Sequence, residues 1–397
     1  MKRRDFFRIS LAASALTLSS SGMATTSQPN NKRQVRKPAF FEKRPLIIYS
    51  DRPPLLETPR DAFTRTITPN DEFFVRWHMS KIPTHIDMDT YYIRVHGEVK
   101  NRLYLTVDML KKDFEQVEIN AVLQCGGNSR SAFHPTTSGI QWGSGAMGCA
   151  SFKGVRLKDV LSRAGLQEGA TWLSLNGDDE AVMKKIESFK RSLKIEDITD
   201  DTIIAYEMNG EELPFLNGYP VRLIIPGLYS DSWVKMLSNI NVTKEYKECY
   251  YMDKAYRIPD NATESEIPDK LATKTKPLEQ MNVKSYIGYP TSYTQLHANI
   301  PFSIKGVAFD SGSGIKEVQI SLDSGETWEK ASLEKELSPY AFRVFKFKVN
   351  PMKKGILTIM AKAINNRGEA QPFAKEIQWN HGGYKFNGID TLSVDIV

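Results

Sequence analysis

Three cysteines in 397 residues, Cys125, Cys149 and Cys249, form no C-x-x-C pair. Zinc ribbons, iron–sulfur clusters and attached c-type haem all need closely spaced sulfurs, so none is expected. The His-Pro-Gly-Gly string of a cytochrome b5 haem domain is missing as well. Long apolar runs are also missing. The stretch over residues 9–18 is short and rich in Ala, Ser and Thr, whereas a membrane-spanning helix needs about 20 apolar residues. Charge of one sign is scarce too, with 53 Lys and Arg against 47 Asp and Glu and a formal net charge of +6. That balance excludes the strongly basic footprint of a nucleic-acid binder. No repeat or low-complexity tract is present, and the composition is that of a globular protein.

The length exceeds one ordinary core, so two domains with tails are expected. The chain opens M-K-R-R-D-F-F-R. Arg3 and Arg4, the apolar run and then Gly22 and Ala24 follow the order of a twin-arginine export signal over residues 1–24. The mature chain then starts near Thr25, with a net charge of about +3 once four basic residues and one acidic residue are removed. Such a route carries folded protein to the periplasm and leaves no stable membrane anchor. Residues 25–62 hold Lys32, Arg33, Arg36, Lys37, Lys43 and Arg44 and read as an extended basic arm, with regular structure starting near Phe63.

The chain is organised around L-Q-C-G-G-N-S-R-S, residues 123–131. Residues 117–123 have the β-branched and apolar content of a buried strand, and Gly126 and Gly127 end it. Cys125 therefore stands at a strand-to-loop corner where a bulky group can approach its sulfur. Arg130 supplies positive charge that favours a thiolate. By itself the string allows two readings, a ligand or nucleophile and a small buried hydrophobe. In D-E-F-F-V-R-W-H, residues 71–78, strand alternation puts Arg76 and His78 on one face. Strands are expected over 91–99 and 171–176, helices over 107–114 and 155–164, and a hairpin about Asn209 and Gly210. His96 reads as structural. After a Pro- and charge-rich linker over 259–282, short strands over 302–308, 315–322, 341–349, 356–364 and 374–379 read as an immunoglobulin-like sandwich.

Several of these strings resemble the sulfite oxidase family. The cysteine loop is similar to its C-A-G-N-x-R-S motif, with Gly126 in place of the alanine and Asn128, Arg130 and Ser131 matching. The resemblance implies that Cys125 is the one protein ligand to a molybdenum carried by a pyranopterin (molybdopterin). The family's F-V-R-x-H matches Phe74, Val75, Arg76 and His78; with Trp77 between them, this segment is implied to line the cofactor, and Arg76 to face the substrate oxyanion. A-Y-E-M-N-G-E-E-L-P-F-L-N-G-Y-P-V-R, residues 205–222, implies that Arg222 holds the cofactor phosphate, with Asn217 where animal members have histidine. Trp233, Val234 and Lys235 follow the family's V-K-x-L region, and Asp179 stands at an acidic cofactor contact. Tyr256 matches the active-site tyrosine. Two departures stand out: Ser138 replaces a lysine of animal members, and His381 and Gly382 stand where animal members carry a substrate-facing arginine, which bears on the substrate more than on the cofactor.

The fold implied is α+β, a mixed molybdopterin-binding catalytic domain over 63–258 followed by a sandwich over 283–397 that makes a homodimer, with Trp328 in its core. The activity implied is oxidation of sulfite to sulfate, with electrons passed to a separate c-type cytochrome. Arg76 and Arg130 would orient the anion, Tyr256 would hydrogen-bond the reacting oxygen, and His78 would support it. Two alternatives are a sulfane dehydrogenase of thiosulfate oxidation and, from another class, an exported non-catalytic binding module with a degenerate site.

Overall fold

The computed structural model describes residues 43, 45–183, 185–351 and 353–397. The export signal and half of the expected arm lie outside them. Among the described residues, regular structure begins at Ile47 rather than near Phe63. Strands β1 (Ile47–Asp51) and β2 (Pro54–Glu57) form an antiparallel hairpin, and β3 (Val75–Arg76) pairs with β2. Residues 47–57 are thus no extended arm, and Leu55, Leu56 and Glu57 are buried. The basic residues that suggested an arm precede an apolar P-L-L-E that finds partners: Leu56 packs with Val75, Trp77 and Met236.

Next come β4 (Ile93–Gly97), β5 (Leu103–Leu105), α1 (Val107–Asp113), β6 (Gln116–Gln124), β7 (Met147–Arg156) and α2 (Leu157–Ala164). The Thr106 hydroxyl caps α1 by accepting from Met109 N at 3.2 Å, satisfying a donor the helix leaves orphaned. Helix α2 starts two residues later than expected because Val155 and Arg156 still pair in β7. Its Leu157, Val160, Leu161 and Ala164 share one buried face at helical spacing. Strands β8 (Trp172–Gly177), β9 (Lys190–Lys194), β10 (Ile203–Met208), β11 (Glu211–Glu212), β12 (Arg222–Ile224) and β13 (Leu237–Thr243) follow. Positive φ at Asn209 (55°) and Gly210 (78°) makes the expected tight turn between β10 and β11.

Two five-stranded sheets result, one ordered β11-β10-β7-β6 with β12 also on β10, the other β5-β4-β13-β8-β9. Only the pairing of β13 with β4 is parallel within them.

The stretch expected as a solvated linker is partly built in. After a four-residue turn, α3 (Tyr250–Asp253), β14 (Arg257–Pro259) pairs with β15 (Thr275–Pro277), and Leu278 and Met281 are buried. The sandwich then packs β16 (Lys284–Tyr289), β17 (Phe302–Phe309), β18 (Ile315–Ser321), β19 (Glu329–Lys330), β20 (Ser332–Leu333), β21 (Arg343–Val349), β22 (Gly355–Asn365) and β23 (Asp390–Ile396) as two four-stranded sheets. The fold is the expected one, with more strand than helix, but three details differ. Residues 374–379 carry only a 3-10 turn, Ala374–Glu376, and the last strand is β23. Trp328 is a half-buried surface residue whose Nε1 donates to Gly325 O at 3.1 Å and whose ring lies 4.1 Å from Lys362 Nζ. The interior is filled by Ile304, Ile320, Phe345 and Ile359 instead.

The two domains also share a core. Phe63 meets Tyr286 edge-on at 5.3 Å and Phe342 at 6.0 Å, and Val307, Phe309 and Val344 of the sandwich belong to the same apolar cluster as β6 and β7. The hairpin, meanwhile, holds the loop beyond the cysteine. Glu57 accepts from Gly143 N at 2.8 Å, Gly145 N at 2.9 Å and Tyr49 OH at 2.8 Å. Glu57→Ala removes the acceptor of these donors, of which Gly145 N is buried, and is expected to lower unfolding stability by about 1–3 kcal/mol, measured by urea denaturation followed through tryptophan fluorescence.

Candidate active site

Strand β6 is paired with β7 along its whole length, ending at Gln124 opposite Met147. Cys125 is the next residue, tied to the neighbouring strand by its own N–H to Ala146 O at 2.9 Å. The chain then turns: Asn128 N donates to Cys125 O at 2.9 Å, Arg130 N to Gly127 O at 3.0 Å, and Ser129 takes a left-handed φ of 66°. The glycines leave room for neighbouring side chains, which would have to shift for any larger residue. A Cβ on Gly126 would lie 2.3 Å from Leu278, and one on Gly127 would meet the Arg130 guanidinium at 2.3 Å. Cys125, Cys149 and Cys249 are all buried free thiols, so no bridge joins the last two.

Cys125 stands where two cavities meet. An inner pocket is lined by Phe74, Arg76, His78, Asn217, Arg222, Trp233, Lys235 and Tyr256 among others. An outer cleft is lined by Arg130, Ser138, Glu266, His381 and Tyr384 among others. Arg76, Cys125 and Tyr256 line both.

The deep end of the inner pocket is cationic. Arg222 is clamped by its donations from Nη1 to Asn217 O (2.7 Å) and Nη2 to Trp233 O (3.2 Å), and Lys235 Nζ donates to Arg76 O at 2.9 Å. Burial pulls Arg222 down to about 9. It pulls Lys235 down to about 7, helped by the Arg222 charge and opposed by Asp179. Arg76 Nη1, Arg222 Nε and Trp233 Nε1 are buried donors without a hydrogen-bond partner. Leaving such groups unmet is costly. An anionic cofactor with a phosphate and several acceptor atoms fits this donor set, and a neutral apolar ligand does not.

Beside Cys125 the groups are held by rings. His78 stacks on Phe189 at 4.0 Å and hydrogen-bonds through Nε2 to Tyr256 OH. Burial, and then the charges of Arg76, Lys235 and Arg191, push His78 well below its usual value. Burial also raises the Tyr256 phenol, against the pull of Arg76. Both groups are therefore neutral near pH 7, and the histidine tautomer decides which of them donates in the hydrogen bond between them. Tyr256 sits at a positive φ of 54° and stacks on Tyr384 at 5.7 Å.

Most of the residues singled out in the sequence come together here, with four exceptions. Val75 and Trp77 face the opposite side of their strand into the cluster with Leu56, and Trp77 Nε1 donates to Leu216 O. Val234 is packed in the main core. Asp179 is buried behind Lys235 and touches the pocket only through its charge. Arg130 is not a free anion receptor: Nε donates to Gly382 O and Nη1 to Ile140 O, both at 3.0 Å, and the guanidinium lies 5.3 Å from the Tyr384 ring. Asn217 does line the pocket, but its amide donates to Phe74 O at 3.1 Å and accepts from Lys43 Nζ at 2.7 Å. Sequence reasoning missed Phe189, Tyr384 and the buried Arg191–Asp231 ion pair (2.8 Å), which backs Tyr256. That pair joins residues forty positions apart, and no local pattern marks it.

Comparison with known proteins agrees with the geometry. Residues 78–251 match the family described as oxidoreductase molybdopterin binding domain, and residues 275–388 match the Mo-co oxidoreductase dimerisation domain. The chain is similar to mitochondrial sulfite oxidase of Rattus norvegicus, 31% identical over 387 residues that cover 94% of this chain and 68% of that protein. It is 32% identical to NAD(P)H nitrate reductase of Hordeum vulgare over 324 residues, 75% of this chain and 35% of that one. The solved structure of the sulfane dehydrogenase SoxCD from Paracoccus pantotrophus shares the fold, with TM-score 0.76, 24% identity and coverage of 94% of this chain and 96% of that one.

The depressed Lys235 makes anion binding visible as a proton. At about pH 8 its amine is mostly neutral in the cofactor-free protein, and a bound anion raises its affinity for a proton, so sulfate binding takes up most of one proton. Calorimetry in buffers of different ionisation enthalpy reads this uptake, and Lys235→Met abolishes it.

Proposed function

The chain belongs to the sulfite oxidase family of molybdopterin oxidoreductases, and from that premise we propose that it oxidises sulfite to sulfate and passes the electrons to a separate c-type cytochrome. The observation that carries this reading is the grouping of Arg76, Cys125 and Tyr256 on the wall common to both cavities. Cys125 would hold the metal, while Arg222 and Lys235 would hold the cofactor phosphate, and Trp233 Nε1 would donate to the cofactor. When bound, the molybdenum cofactor supplies oxygen-atom transfer and electron storage.

The chain's own groups do the rest. Arg76 keeps an unpartnered Nη1 and attracts the sulfite dianion, and a fixed cation away from bulk water is worth far more than an exposed one. Tyr256 orients the anion by donating its hydroxyl proton to it, and the neutral His78 ring, in the tautomer with Nε2–H, donates to the phenol oxygen. The stacked Phe189 and Tyr384 rings fix both groups and exclude water from their flanks.

Export by the twin-arginine route to the periplasm belongs to the same reading, supported by the order of basic, apolar and small residues over 1–24. Homodimer formation is supported by the match of residues 275–388. A second reading, oxidation of a protein-bound sulfane, is favoured by one feature: His381 and Gly382 line the outer cleft where an arginine would add charge.

Elemental analysis with sulfite-dependent reduction of added cytochrome c tests the proposal, with a protein-bound sulfane donor and nitrate as parallel substrates. Molybdenum together with sulfite turnover is the expected result, and turnover of the sulfane donor alone selects the second reading. Arg76→Gln is expected to lower kcat/KM for sulfite by about 10²–10³-fold with molybdenum content unchanged, measured by steady-state kinetics on variants matched for metal.

A further inference from the structure

The cysteine loop is held from the sandwich, and most directly by one buried cation. Lys284, the first residue of β16, is buried, and its ammonium donates to Ser129 Oγ at 2.6 Å and to Phe386 O at 3.1 Å. Ser129 is the left-handed residue of the turn that starts at Cys125, and its hydroxyl also meets Ser144 Oγ at 2.8 Å. One side chain thus joins the cysteine turn, the loop after it and the segment that leads into β23. Two further contacts run in parallel: Lys385 N donates to Gly126 O at 3.2 Å, and Gly382 O accepts from Arg130 Nε.

A lysine in this place is unexpected on physical grounds. Burial pulls it down to about 8, against the support of Asp390 and Glu57 and with the opposition of Arg60, which is itself bonded to Asp390 at 2.8 Å. An apolar residue would fill the site without that cost. Its ammonium geometry is what an apolar residue cannot copy, because it holds two acceptors on separate segments in one arrangement.

We infer that Lys284 is a positioning residue for Cys125, setting the loop conformation that presents the thiol to the two cavities. The sandwich is therefore part of the active-site scaffold as well as a dimerisation module. The inference rests on Cys125 being the functional sulfur, and its test is independent of the metal. In the cofactor-free full-length chain, the alkylation rate of each cysteine by iodoacetamide is followed by peptide mass spectrometry. Cys149 and Cys249, also buried and free, serve as internal controls.

Lys284→Met is expected to change the Cys125 rate by about tenfold with the two controls unmoved, and Lys284→Arg to restore it partly. Parallel change at all three cysteines, or none at Cys125, overturns the inference. If Lys284→Met does not fold, Ser129→Ala removes the acceptor while the lysine remains, and the same selective change is required of it. In the metal-loaded enzyme, Lys284→Met is expected to shift the g-values of the molybdenum electron paramagnetic resonance signal; unchanged g-values count against it. Failure of the metal reading shows separately, as wild-type protein that contains no molybdenum.

Discussion

Positive charge gathered inside a fold and left without its counterions is the constraint from which the rest of this structure follows. Arg76, Arg222 and Lys235 face one pocket, and the carboxylates nearest to them are either committed elsewhere or set behind the wall: Asp231 pairs with Arg191, and Asp179 sits behind Lys235. Buried cations of this kind tend to lose their protons or recruit an anion. Arginine gives up its proton reluctantly, so the pocket is built to be completed by a negatively charged group. The strand ends that deliver β3, β6 and β12 to one place exist to hold these side chains around Cys125.

Nothing in that arrangement is local. The cysteine turn is braced on one side by Glu57 of the N-terminal hairpin, which gathers the amides of Gly143 and Gly145. On the other it is braced by Gly382, Lys385 and Lys284 of the C-terminal part. The apolar cluster shared through Phe63, Tyr286 and Phe342 makes the two domains one packed body at this point. A site assembled from segments so far apart gains precision from packing, because interiors of close-packed side chains resist small displacements.

What could be read ahead of the structure was whatever short-range physics determines. The Asn-Gly turn, the strand running into Cys125 and the shared face of Arg76 and His78 each follow from steric rules over a few residues. The same alternation turns Val75 and Trp77 away from the pocket; they entered the set of candidate residues because family motifs are contiguous strings while strands have two faces. Arg130 shows the opposite limit. Its charge is evident in the sequence, but its use as a clamp on Gly382 and Ile140 depends on loops that meet only in space. The hairpin at 47–57 and buried Leu278 were hidden by neighbouring lysines, prolines and acids, since local composition says little about which surface a segment finds.

The central claim is that the Cys125 sulfur and the cationic pocket behind it hold one molybdenum cofactor. Molybdenum-edge X-ray absorption on wild type and on Cys125→Ser tests this most directly. The account predicts a molybdenum signal in the wild-type protein and one sulfur neighbour fewer in the variant. A sulfur shell unaltered by the substitution would contradict it.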